Sequence, residues 1–482
     1  MMIQTCIAIF LPTLLGFLII AVILRNDKET PLGERIGLSF PLGAGILTLQ
    51  MFLMGILRVP LILFNTTLPV LVELVGLAAC IWAAGILLIP RPSSGLLAEI
   101  TCAKNHRVKK CAFAILALWI GAKLGSVFLE AYLRPIYSAD SWKVWSSCAK
   151  IFFNSHSLLL DAPAQDFFGG NAIRRIIFYP LHTNLIQVWM SLWMGVFDEV
   201  LIKFYNPVYL LSMAIVFYYI SLRETSRILA LTILAIILSS PFLSYHSVEA
   251  NSDLMLGVYI FFASAAFLKA MRGNSAYWIL TGIYSAEALF TKEEAFFFIL
   301  PLLLSAIGYL KFDTEKSHGK LAYIRALLAP LLAVIPWYIF IACYGLGWKE
   351  MADWGVNYNY SLLINDPNRI TEHLTFHPEI ITGYLYWLAS LENFNVIILF
   401  FPLLLITKKK IQKESLHLLF PIVCYMIFFL LVYMFTVYYI WFLIGTIFYR
   451  NILTCYPAIC LLTVLLLKKD NSFSRNTEEN QD

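Results

Sequence analysis

Charge is the scarcest feature of this 482-residue chain. Asp, Glu, Lys and Arg together make up 13% of it, against about a quarter in a soluble globular domain. So few charges cannot cover the surface of a water-soluble protein this large. Cysteine is no framework either. The nine cysteines show no CxxC, and most (Cys6, Cys80, Cys111, Cys343, Cys424 and Cys460) sit inside apolar runs. That pattern argues for small buried side chains, against a disulfide scaffold or a zinc site. There is no Gly-rich phosphate loop, no HExxH, no GxSxG and no repeat of solenoid period. No loop read as cytoplasmic is long enough for a nucleotide-binding domain, which excludes an ATP-driven machine built from this chain alone.

What is there is apolar. Hydrophobic residues reach 60%, and mean hydropathy is +0.76. The runs are roughly 20 residues long, enough to cross a bilayer. Aromatics at 15% suit belts of Trp and Tyr at two interfaces. The net charge of +5 is modest, and the basic residues cluster between apolar runs. They read as topology signals rather than a nucleic-acid surface.

The fold class expected is all-α, a polytopic helix bundle of about thirteen spans: 3–24, 36–57, 68–89, 111–133, 201–222, 228–244, 253–270, 277–289, 295–310, 326–344, 381–406, 416–435 and 453–467. The run 3–24 has no basic n-region and no cleavage site, so it reads as a retained span. The run 277–289 is short and counts only if its neighbours bury it. Three units follow: a three-span extension over 1–110, a main module over 111–467 with loops at 134–180 and 347–380, and a polar, disordered cytoplasmic tail over 468–482.

Lys and Arg in short loops set orientation. Clusters at 91–110, 311–325, 408–413 and Lys468-Lys469 are read as cytoplasmic, and Arg25, Lys28 and Arg35 agree by parity. The 134–180 loop then lies outside, with 245–253, 291–294, 347–380 and 444–450. Between Pro180 and Arg223 the crossings must be odd, yet two apolar stretches occur. The first, 179–196, is expected to lie along or dip into the outer surface.

The outer loop has its own helix. Trp142, Trp145, Ala149, Phe152 and Phe153 gather within about 100° on a helical wheel, with Lys143, Ser146, Ser147 and Lys150 opposite. Just ahead stands Asp140. A carboxylate at such an interface can act as a base on a hydroxyl; alternatively it caps the helix that follows. Arg174 and Arg175, with His182 shortly after, form a substrate-binding patch for phosphate, or one for lipid headgroups in general. Glu249 and Asp253, with His246, hold a cation or an acceptor, or are simply a polar turn. Lys292 and Glu293 sit in a tight turn between spans, as a site or as a local ion pair. Arg450 opens the last span from the outer side, against the positive-inside trend, and an anion is the simplest reason for it. His373 and His377 share a helix spacing, with Asp353, Asp366 and Arg369 nearby, without a third metal ligand.

Five features appear in a family order: Tyr137-Ser138-Ala139-Asp140-Ser141-Trp142, then Tyr179-Pro180-Leu181, then Ser239-Ser240-Pro241 running to Asp253, then Leu289-Phe290-Thr291-Lys292-Glu293-Glu294, and Arg450 ahead of Pro457. In this order the chain resembles the membrane-embedded glycosyltransferases of the GT-C fold, such as protein O-mannosyltransferases and lipid A aminoarabinose transferases. It departs from them in its three leading spans, and in Asp140-Ser141 where many relatives have Asp-Glu.

The resemblance implies a multi-pass enzyme of the inner (plasma) membrane, active on the extracytoplasmic side. Its donor would be a sugar on polyprenyl phosphate, and its acceptor a lipid, glycan or protein. Transfer would invert the anomeric centre. Asp140 would be catalytic. Arg174, Arg175, His182, Glu249, Asp253, Lys292, Glu293 and Arg450 would bind substrate. No metal ligand is assigned, and a divalent cation is left open. The rival readings are a glycan polymerase or ligase centred on 347–380, and a flippase of lipid-linked sugar.

Overall fold

The computed structural model describes residues 1–86, 88, 107–158, 179–313, 319–344, 376–389, 391–394, 396–408, 411–436 and 438–467. Arg174, Arg175, Asp353, Asp366, Arg369, His373, the connector 161–171 and the tail 468–482 lie outside the described residues. So does most of the 347–380 loop.

The described secondary structure is helical throughout. Among the described residues, ten helices are long and apolar enough to cross a membrane, or up to eleven if one bent pair counts as a span. The expected count of thirteen is therefore not reproduced, and the three differences have local causes. The run 228–244 divides into Arg227–Leu238 and Pro241–Ser247, bent by 71°. Pro241 has no N–H to continue the first helix, while Ser240 Oγ accepts from Leu243 N–H at 3.3 Å and starts the second. The run 381–406 divides into Glu379–Ala389, Leu391–Phe394 and Ile397–Thr407, around the polar Glu392 and Asn393. Tyr277–Thr291 has 15 residues, about 22 Å of helix, short of a roughly 30 Å hydrocarbon core. Its neighbours bury it instead.

His182–Met194 has 13 residues and buries nearly all of its side chains. At about 20 Å it is too short to cross. It is covered by protein rather than laid flat on lipid, packing on the first two spans and on the outer-loop helix.

Helix Asp253–Met271 is the axis of the bundle and is buried almost completely. Around it stand Tyr205–Glu224, Tyr277–Thr291 and Thr446–Leu467. Gly257 lets the last of these approach: a Cβ there would stand 3.0 Å from Leu453 O. The first two spans belong to the same core. Tyr259 donates to Pro41 O at 2.8 Å, Tyr284 to Leu38 O at 3.0 Å, and Trp189 Nε1 to Ala8 O at 2.7 Å.

Charged groups gather at the two ends of this axis. At the Lys269 end, buried Glu34 accepts from Arg223 at 2.7 Å and from Lys269, and Arg272 joins Glu224 to Glu414. These residues flank the loops whose basic residues read as cytoplasmic. The other end of the helix, about 27 Å away, begins at Asp253.

Candidate active site

Asp253 is the first residue of its helix, where the helix dipole favours an anion. It makes no capping bond. Its carboxylate is fully buried and faces two cations: Lys292 Nζ at 2.9 Å from Oδ1, and Arg450 Nε at 2.9 Å from Oδ2. Lys292 stands where the chain breaks between helix Tyr277–Thr291 and the short turn Glu293–Ala295, in extended backbone. It also meets Glu294 at 2.9 Å. Burial alone would lower the Lys292 pKa. Asp253 and Glu294 more than offset it, and the ammonium is held above its ordinary value.

Arg450 is the fifth residue of helix Thr446–Leu467, near the N-terminal end where the helix dipole does not favour a cation. Two acids compensate it. While Nε binds Asp253, a terminal nitrogen binds Asp140 Oδ2. The capping alternative for Asp140 is not realised, since the residue makes no side-chain cap bond. Its side chain is 43% exposed, whereas that of Asp253 is 0% exposed. Asp140 is thus the open, exchangeable end of the knot, and Asp253 its closed end.

Tyr179 roofs one side. Its ring lies 5.8 Å from Lys292 Nζ and 5.1 Å from the Trp145 ring. Trp145 belongs to the outer-loop helix, which opens with a π-helical turn, Ser141–Ser146, before Ser147–Ser155. The expected apolar face holds at Trp145, Ala149 and Phe152, which are buried. It fails at the first turn: Trp142 is 40% exposed and Ser146 is buried. A π turn carries more residues than an α turn and rotates what precedes it.

Glu249 and Asp253 do not converge on one ligand. Glu249 Oε2 accepts N–H from Tyr137 at 3.2 Å and from Ser138 at 3.1 Å. His246 Nδ1 is 3.5 Å from Asp253 Oδ2, without a hydrogen bond. Among the described residues no group of three or more His, Cys, Asp or Glu side chains is arranged to hold a metal ion. His182 is not brought to this cluster either. Its ring is buried inside the bundle, Nδ1 on Thr48 Oγ1 and Nε2 within 3.0 Å of Tyr209 and 3.1 Å of Tyr259. Glu293 is half-buried beside the cluster and makes no ion pair among the described residues. His377 sits apart, stacked on Tyr439 and 3.0 Å from Glu379.

Residues 180–340 match the family model of dolichyl-phosphate-mannose-protein mannosyltransferase. The match supports a membrane glycosyltransferase of the GT-C type. It covers about a third of the chain and includes Glu249, Asp253, Lys292 and Glu293. Asp140 and Arg450 lie outside it, joined to it only by the fold. No curated protein matches the chain. Among solved structures, it is similar to ArnT from Cupriavidus metallidurans in the apo state, with 13% identity and a TM-score of 0.48. The alignment covers 76% of this chain and 62% of that one.

Several polar residues around this candidate site are not among those singled out from the sequence: Lys203, Asn206 and Asn251. Lys203 and Asn206 interrupt the apolar stretch that opens a span, and buried polar groups at such a place usually have a task. That signal was available. The contact between Asp140 and Arg450 had none.

Proposed function

We propose that the chain transfers a sugar from a polyprenyl phosphate to a hydroxyl or amine acceptor on the extracytoplasmic side, with inversion. The observation that carries this reading is Arg450, bridging buried Asp253 and accessible Asp140 beside Lys292. The placement outside the cytoplasm rests on the Lys and Arg pattern of the loops. The lipid-linked donor accounts for the lack of a nucleotide-binding segment.

The chemistry follows from the charges. The acceptor heteroatom bonds to the anomeric carbon as the bond from that carbon to the phosphate oxygen breaks. The electron pair leaves on the lipid phosphate, and the acceptor proton passes to Asp140. The phosphate carries one negative charge as the sugar diester and approaches two once the sugar has left. Arg450 and Lys292, fixed in a site with little water, attract the second state more strongly than the first, which is what lowers a barrier. Asp253 holds both cations in place and touches no substrate. Arg174 and Arg175 are further candidates for the phosphate.

Three carboxylates, Asp140, Asp253 and Glu294, face two cations in the site. Adding a phosphate therefore requires one acid to yield. Asp140 is the exposed one, so donor phosphate and Asp140 compete for Arg450. Donor binding releases Asp140 from its ion pair and leaves it free to take a proton.

A carrier of lipid-linked sugar is the second reading, favoured by the bent pair Arg227–Leu238 and Pro241–Ser247 and by Glu287, a buried carboxyl within a helix. One assay separates them. Purified protein in lipid is given a panel of radiolabelled polyprenyl-phosphate sugars, and sugar released from lipid is compared between wild type and Asp140→Asn. Release by the wild type alone supports transfer. Movement of intact donor across the bilayer with no cleavage of any donor, acceptors included, overturns it.

A further inference from the structure

Between the end of helix Arg107–Leu133 and Asp140 the chain is irregular over 134–138. Arg134 N–H still donates to Glu130 O at 3.0 Å and Pro135 has no N–H, but the Tyr137 and Ser138 N–H groups must find acceptors elsewhere. They find Glu249. This carboxylate is fully buried, accepts both the Tyr137 and Ser138 amides on one oxygen, and makes no ion pair among the described residues, with buried Lys203 the cation whose charge it feels. Ser141, with one hydroxyl proton to give, stands 3.3 Å from the same oxygen and 2.8 Å from Asn251 Oδ1. Asn206 holds the Glu249 side of this clasp from below, donating to Glu249 O and, at 3.3 Å, to Asn251 O. Buried Lys203 donates to Pro135 O at 3.3 Å. The residues on both sides of Asp140 are thus tied to one buried acid, while the Asp140 side chain stays open.

We propose that Glu249 is a positioning residue: its carboxylate fixes the 137–141 backbone so that Asp140 stands opposite Arg450. The inference rests on the role given to Asp140 above, and it assigns Glu249 no contact with substrate. The geometry favours this over cation or acceptor binding. Oε2 is taken up by the Tyr137 and Ser138 N–H groups, and Oε1 is buried without a hydrogen-bond partner among the described residues, so neither oxygen is presented outward to a ligand.

The test is hydrogen exchange on the full-length protein in lipid nanodiscs, read over peptides covering 135–142, together with sugar release. Glu249→Ala should speed exchange of the Tyr137 and Ser138 amides by about tenfold or more, the loss of a net hydrogen bond to a charged group. It should lower kcat by roughly a hundredfold, the penalty for a misplacement near 1 Å, and leave the donor KM unchanged or up to about fivefold lower, because Arg450, Lys292 and Asp253 are untouched and Asp140 competes less for Arg450. In an Asp140→Asn background, Glu249→Ala should lower kcat no further. Ser141→Ala gives the same pattern at smaller amplitude and serves if Glu249→Ala does not fold. Unchanged exchange over 135–142 overturns the clasp, whether or not any donor turns over. Faster exchange with unchanged kcat, a raised donor KM, or full additivity with Asp140→Asn overturns the positioning role. If the wild type cleaves no donor, the glycosyltransferase reading fails, while the exchange result still decides whether Glu249 holds the loop.

Discussion

Asp253 and Arg450 stand 197 residues apart in the chain and 2.9 Å apart in the fold. The contact joins the axial helix to the terminal one at the end where the irregular loops collect. Arg450 has the planar fork needed to hold two carboxylates at once, and it does so, taking Asp140 with a second nitrogen. Lysine offers a point charge and cannot reproduce that bridge. The same cation therefore serves two tasks: it neutralises a buried acid and is available to an incoming anion.

Replacing Asp253 by Asn should destabilise the protein more than any other single change in the site. It would leave buried Lys292 and half-buried Arg450 near each other without their shared counter-charge. Breaking such a buried pair costs about 3–5 kcal/mol. The check is thermal unfolding in detergent beside Asp140→Asn. Similar Tm values for the two variants would contradict the division into a closed and an open end.

Asp140→Asn should retain the fold and lose turnover. The pair it makes with Arg450 is partly solvated, and exposed pairs contribute about 0–1 kcal/mol. As a general base, Asp140 would be worth about 10²- to 10⁴-fold in rate. The measurement is sugar release, with Tm as control. Turnover within tenfold of wild type would move the base elsewhere, with half-buried Glu293 next in line.

Competition for Arg450 makes an unusual prediction for the same variant. If donor phosphate must displace Asp140, then Asp140→Asn should bind polyprenyl phosphate more tightly than the wild type, by about two- to fivefold, the worth of one partly exposed ion pair. An inactive variant with raised affinity is hard to obtain from a merely damaged site. Weaker binding would show that Asp140 helps hold the donor rather than competing with it.

Spans were legible wherever hydropathy alone decides, as in 3–24, 253–270 and 416–435. They were not legible where a polar or proline residue lies inside an apolar run. Ser239-Ser240-Pro241 reads as continuous grease to a hydropathy window and as a break to the backbone. The residues of the site were visible as oddities, acids and bases at span ends. Their arrangement was not, because Asp140 and Arg450 are 310 residues apart and no local pattern encodes their meeting. Glu249 and Asp253 show the same limit at short range. Four positions apart, they face opposite duties, because the chain between them is irregular and only Asp253 enters a helix.

His182 offers the sharpest separation of a substrate role from a structural one. It follows Tyr179 and Pro180 at the site's edge, which is why it read as a substrate residue. Its ring instead points into the bundle, where Thr48, Tyr209 and Tyr259 surround it, and Tyr209 and Tyr259 bond each other at 2.7 Å. Replacing it by Phe removes two ring nitrogens from buried hydroxyl partners. Leaving such groups unsatisfied costs about 1–3 kcal/mol. Tyr259 keeps Pro41 O as a partner, which places the expected loss toward the lower part of that range. His182→Phe should therefore lower Tm while leaving the donor KM unchanged. A raised KM at unchanged Tm would mean that the ring reaches substrate, and that this helix moves when donor binds.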